Sequence, residues 1–196
     1  MGVDACYQAI PEGPLLERAE HDREFAEVLP AFHGLATRGP SGPCLESPLW
    51  IEVTQAARAL VAERATLLER HLSTRWWAAI YWLLAPNRRA NQPRDPNGLA
   101  EHAVFGTRPF RCGAESSIGT PLRVVRSDEV DAVAKFLASS VERARETFDA
   151  AAMEEGDVYK APEDADREQV IELLLDYERI YRAAADKGEC VLVSFD

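Results

Sequence analysis

The stretch from Ala165 to Phe195 constrains this chain most. Val170, Leu173, Leu174, Tyr177, Ile180, Tyr181 and Ala184 recur at spacings of three and four, so one apolar stripe runs along a helix. Lys187 falls in the last turn, and Gly188 stands where a left-handed residue closes a helix. Cys190 to Val193 then reads as a short strand that is apolar on both faces, which belongs in the middle of a sheet. A helix that feeds directly into a buried strand is an architectural anchor. It carries no chemistry of its own.

The preceding segments predict further elements. Val3, Ala5, Tyr7 and Ala9 alternate with Asp4, Cys6 and Gln8, the pattern of a strand with one face in the core, which Pro11 and Gly13 end. Pro14 opens a helix that runs to Leu29 and stops by Pro30, and the stretch from Ala31 to Pro48, with His33 in it, reads as a loop. Ser47 as N-cap and Pro48 at the first position start a helix that ends near His71. Ser73 or Thr74 then caps a helix from Arg75 to Ala85. Apolar all round, it is expected to be the innermost, a central core helix with one Trp edge (of Trp76, Trp77 and Trp82) at the surface rather than an aromatic binding box. One or two helical turns are expected over Leu99 to Phe105, and irregular chain over Arg108 to Thr120. A strand follows over Leu122 to Val125, then a helix capped by Ser127 that runs to Phe148. Asp149 to Pro162 reads as a connector. The 196 residues therefore predict a single α+β domain spanning 1–196. Its small mixed sheet contains the first and last strands, with five or six helices packed on it.

A net charge of −11 disfavours nucleic acid and anionic membrane surfaces as partners. That charge is uneven. From Pro86 to Arg126 seven arginines (88, 89, 94, 108, 111, 123 and 126) face three acids, a local +4 in a chain whose remainder carries −15. The four cysteines are scattered singly, without metal-ligand spacing or the density of a disulfide framework, so no metal and no cofactor is implied. No apolar run approaches the ~20 residues of a membrane span and the first residues lack the pattern of a signal peptide, so a cytoplasmic protein is expected.

The run Leu122-Arg-Val-Val-Arg-Ser-Asp-Glu-Val130, then Ala134 to Leu137, Phe148-Asp149, Met153 and Val158-Tyr159, resembles the YfbM-like family of uncharacterised bacterial proteins, domain of unknown function 1877. The ending Tyr181-Arg-Ala-Ala-Ala-Asp-Lys-Gly188-Glu-Cys-Val-Leu-Val193 is similar too, as are Met1-Gly2, Trp76-Trp77 and Ala103-Val104-Phe105-Gly106. The stretches 31–48 and 87–98 depart from that pattern. The resemblance implies an α+β fold and brings no catalytic residues with it.

P-loop, GxGxxG, HExxH and GxSxG motifs are all missing from the sequence. Two readings of function remain. The first is an interaction module whose acidic surface engages a basic protein partner, for instance by neutralising it. The second is a hydrolase or transferase acting on an anionic small molecule, held by arginines between Pro86 and Arg126 with His102 as acid or base. His33, His102, Arg108 and Arg111 are the residues expected to contact a ligand or partner, and Arg108 beside Gly106 is the favoured anion contact. The sequence leaves the oligomeric state open.

Overall fold

The computed structural model describes residues 2–85, 95 and 97–196. Five strands form one open sheet in the order β2-β1-β5-β4-β3: β1 (Ala5–Pro11), β2 (His71–Thr74), β3 (Arg108–Pro109), β4 (Arg123–Val125) and β5 (Glu189–Phe195). β5 is central, as expected of the last strand, and β1, the expected first strand, lies beside it. The sheet is antiparallel throughout rather than mixed. The route from β4 to β5 explains this. It passes through two long helices, α7 (Ser127–Thr147) and α9 (Arg167–Lys187), and the end of α7 meets the start of α9, where Arg167 donates to the Arg145 carbonyl at 2.6 Å. One crossover helix would return the chain parallel, whereas a helical hairpin returns it antiparallel.

Both faces of the sheet are covered. Val191, Val193 and Phe195 of β5 join the core beneath α7, α9, α5 (Trp77–Leu84) and α6 (Leu99–Phe105), while Cys190 and Leu192 face a second core beneath α1 (Pro14–His21), α2 (Arg23–Val28) and Val53 of α4 (Pro48–Glu63). Strand alternation thus serves two cores, which is why β5 is buried at every position and apolar from Cys190 to Val193. Gly188 closes α9 at φ 62°, ψ 37°, the left-handed geometry expected of it.

Several boundaries differ from the sequence reading, each for a local reason. The helix expected over residues 14–29 is two, because Asp22 takes an extended backbone and its carboxylate accepts the Phe25 N–H at 3.1 Å, starting α2. The expected loop contains α3 (Phe32–Thr37), anchored by the buried Phe32 and Leu35, so His33 is helical. α4 stops at Glu63, and a tight turn over Ala65–Glu69 leads into β2, where no strand was expected. Neither Ser73 nor Thr74 is the N-cap: α5 starts at Trp77 behind Trp76, and Thr74, the end of β2, steadies that approach by accepting the Trp76 N–H at 3.0 Å. Ser127 is in the first turn of α7 rather than ahead of it, and the Glu129 carboxylate takes the Arg126 N–H at 3.2 Å. The connector holds α8 (Ala150–Glu155), capped by Asp149. α5 buries Ala79, Ile80, Leu83 and Leu84, while Trp76, Trp77 and Trp82 are only half-buried, so α5 is not the innermost helix. Two buried tyrosine hydroxyls seat α6 instead: Tyr181 of α9 donates to the Ala103 carbonyl at 2.8 Å and Tyr7 of β1 to the Val104 carbonyl at 2.9 Å. These carbonyls belong to the last turn, which has no intrahelical donors left.

Candidate functional site

The four residues singled out in the sequence do not form one constellation. His33 stacks on His71 of β2, with ring centroids 4.3 Å apart and planes 15° from parallel. Arg108 lies on β3, at the opposite edge of the sheet. Four strand spacings separate those edges, roughly 19 Å, so His33 and Arg108 belong to different surfaces. His102 is half-buried on α6 next to the buried Glu101, whose carboxylate accepts the Tyr81 hydroxyl and, at 3.1 Å, the Asp95 N–H. Arg111 is exposed beyond β3, and its N–H donates to Glu20 at 3.0 Å. Arg88, Arg89 and Arg94 lie outside the described residues.

The arginines of this segment that have recorded ion pairs brace the structure. Arg108 pairs with Glu129 at 3.2 Å, and Glu129 also accepts the Thr107 hydroxyl at 2.6 Å. Burial works against the Glu129 charge, but the Thr107 hydroxyl, the Arg126 amide and Arg108 together hold its carboxyl below the usual range. Arg126 pairs with the buried Glu20 of α1, which ties the β4–α7 junction to the other helical layer. Gly106 serves the fold as well. Its φ is 74°, and a Cβ there would meet the Arg123 Cβ at 2.9 Å. Close backbone approach to β4, rather than to an anion, accounts for it.

The stacked histidines have an electrostatic consequence. Burial, and then the neighbouring His33, push the His71 imidazole down to about 4, and burial with Arg38 lowers His33. Below the ordinary histidine value of 6.5 the unfolded chain takes up the proton that folded His71 refuses. Stability is therefore expected to fall as pH drops from 6.5 towards 4. With solvent screening at this half-exposed ring, the loss is about 1–2 kcal/mol. Urea unfolding of wild type and His71→Phe at pH 7 and pH 4.5 checks this, because the variant lacks that part of the acid loss. Equal losses in both proteins would refute it.

A wide cleft among the described residues lies elsewhere, in a place the sequence does not announce. It holds about 910 Å³ between the approach to β1, the β2–α5 connection, the chain after α8 and the first half of α9. Asp4, Asp166, Glu168, Glu172 and Asp176 line it, against the cations Arg75 and Lys160, with Trp76 and Leu173 as apolar surface. Leu173 belongs to the predicted stripe; it is half-buried, packing against the edge of the core while lining this groove. Glu168 is 3.8 Å from Arg145 and Asp176 is 2.8 Å from Arg179, while Asp4 and Glu172 have no ion pair among the described residues. Lys160 adopts φ 51°, a left-handed conformation uncommon outside glycine, in the turn that forms one wall. Carboxylates at this density, beside an indole, suit ammonium or guanidinium groups through charge-assisted hydrogen bonds and cation–π contact.

No cluster of three or more metal-ligating side chains occurs among the described residues, and no described helix is long and apolar enough to cross a membrane. No curated protein matches the chain. Among solved structures it is similar to YfbM from Escherichia coli, described as a protein of unknown function, with a TM-score of 0.52 and 16% identity over 97% of this chain and 98% of that one. A likeness at that identity speaks for the fold alone. The family model named "Domain of unknown function (DUF1877)" matches residues 52–194, from within α4 to within β5, and the chain belongs to that family.

Proposed function

We propose that this protein is an interaction module whose groove between β2, α5 and α9 takes a cationic segment of a protein partner. One observation carries the reading: five carboxylates converge on a cleft that offers only two cations in return, in a chain whose net charge is already −11. Such a surface speeds encounter with a basic partner and repels acidic ones. The alternative, an enzyme that grips an anion with arginines, has less support because Arg108 and Arg126 already pair with Glu129 and Glu20.

A charge-matched comparison tests the proposal. Asp4→Lys with Glu172→Lys reverses two groove charges, and Asp131→Lys with Glu142→Lys makes the same change in net charge on the exposed face of α7. Binding of a fluorescein-labelled octa-arginine peptide, followed by anisotropy at 100 mM salt, should weaken tenfold or more in the first pair and less than threefold in the second. Equal weakening would mean that overall charge, not the groove, attracts the peptide, and the proposal would fall.

A further inference from the structure

β2 ends the sheet on one side, and nothing in the described protein pairs with its outer edge. The register shows which groups face outward. Ala5 stands opposite Thr74 and Tyr7 opposite Leu72, and the Ala9 N–H donates to the Arg70 carbonyl at 3.0 Å. On the other side of β1, Asp4 and Asp196 exchange backbone hydrogen bonds at 2.8 and 2.9 Å, so even-numbered β1 residues face β5 and odd-numbered ones face β2. In an antiparallel ladder the hydrogen-bonded pairs then include Leu72 and Thr74, while His71 and Ser73 point their N–H and C=O groups away from β1. No hydrogen bond to these backbone groups is found among the described residues. The strand also lacks the lysine, proline or bulge that commonly protects an edge.

This edge opens into the acidic groove, since Ser73, Thr74, Arg75 and Trp76 form one of its walls. We propose that β2 receives an extended basic segment of a protein partner as an added strand. Its backbone would pair with His71 and Ser73, and its cationic side chains would enter the groove. The proposal rests on the groove reading above and adds the mode of recognition: main-chain pairing supplies register, and alternate side chains, about 7 Å apart on one face, supply charge complementarity. A partner with Lys or Arg at every second position fits. A second copy of this chain does not, because pairing two β2 edges would bring two carboxylate-lined grooves together.

The probe is the peptide acetyl-Arg-Thr-Arg-Val-Arg-Thr-amide with two backbone-methylated versions, each N-methylated at one alternating set of residues. Calorimetry should show that one methylated version binds at least tenfold more weakly than the parent and the other about equally, because only one edge of the added strand meets β2. Ser73→Pro should weaken the parent peptide by a similar factor with an unchanged circular dichroism spectrum, since the Ser73 N–H faces outward and the fold makes no use of it. Binding that ignores both N-methylation and Ser73→Pro but is lost in Glu172→Lys overturns strand addition and leaves the groove reading standing. No binding of the parent peptide overturns both. A doubled mass in light scattering that Ser73→Pro abolishes overturns the choice of partner.

Discussion

Replacing Arg70 with methionine is expected to cost about 3–5 kcal/mol of folding stability, most of it through Glu189. Glu189 opens β5 with no solvent exposure, and Arg70 grips it with two parallel hydrogen bonds, Nε to Oε2 and Nη2 to Oε1, both 2.8 Å. The remaining arginine nitrogen donates to the Thr66 carbonyl at 2.9 Å and to the Thr66 hydroxyl at 2.8 Å. Without Arg70, the half-exposed Arg64 at 3.4 Å is the only cation among the described residues left beside a carboxylate that water does not reach. The turn after α4 would loosen too, because the Gln8 amide bonds the Leu67 and Arg70 carbonyls of that same turn, each at 3.4 Å. The double replacement Arg70→Met with Glu189→Leu should recover most of the loss, since a buried ion pair often does no better than apolar side chains of similar volume. Urea unfolding followed at 222 nm reads both effects. A single variant that loses less than about 1 kcal/mol would show that solvent already reaches Glu189.

The same pair shows where sequence reasoning runs out. The sequence predicts the last strand from Cys190, whereas it starts at the buried Glu189. Its partner is 119 residues away, and no local pattern announces it. What was legible had local causes: the α9 stripe, the closure at Gly188, the doubly apolar β5, the alternation in β1, and the α+β class that these imply. β2 was missed because His-Leu-Ser-Thr is too short and too polar to signal a strand, and its role comes from pairing with β1. The groove was illegible for the same reason. Its carboxylates sit near residue 4 and along 166–176, and only the sheet brings them together with the residues around position 75. Clustered arginines drew attention because charge clustering in sequence is easy to see. In the fold Arg108 and Arg126 answer single acids contributed by other elements. Leu173, a member of the stripe by its spacing, shows the limit of periodicity: a stripe wider than the fully buried seam leaves its flank half-buried, touching both the core and the groove.

Leu174 is the neighbouring position on the other side of that limit, and the pair makes the second large prediction. Leu174 is fully buried on the face of α9 that joins the main core, which it shares with Val133, Leu137 and Val141 of α7, Val191 of β5 and Tyr7 of β1. Leu174→Ala removes the transfer free energy of the lost methyl and methylene groups and leaves a cavity that two long helices pinned on a sheet cannot collapse. About 2–5 kcal/mol is expected. In a chain of this size each kcal/mol moves the melting temperature by roughly 2–4 °C, so Tm should fall by about 4–20 °C. Leu173→Ala, one residue away on the groove wall, should cost under about 1 kcal/mol, because its side chain keeps much of its contact with water in the folded state. The contrast is more telling than either value. If Leu174→Ala melts within 2 °C of wild type, or Leu173→Ala loses as much, then the seam between α7, α9 and the sheet is not where the stability of this fold is concentrated. The groove would then be part of the core's edge and not a surface held open by a rigid helix behind it.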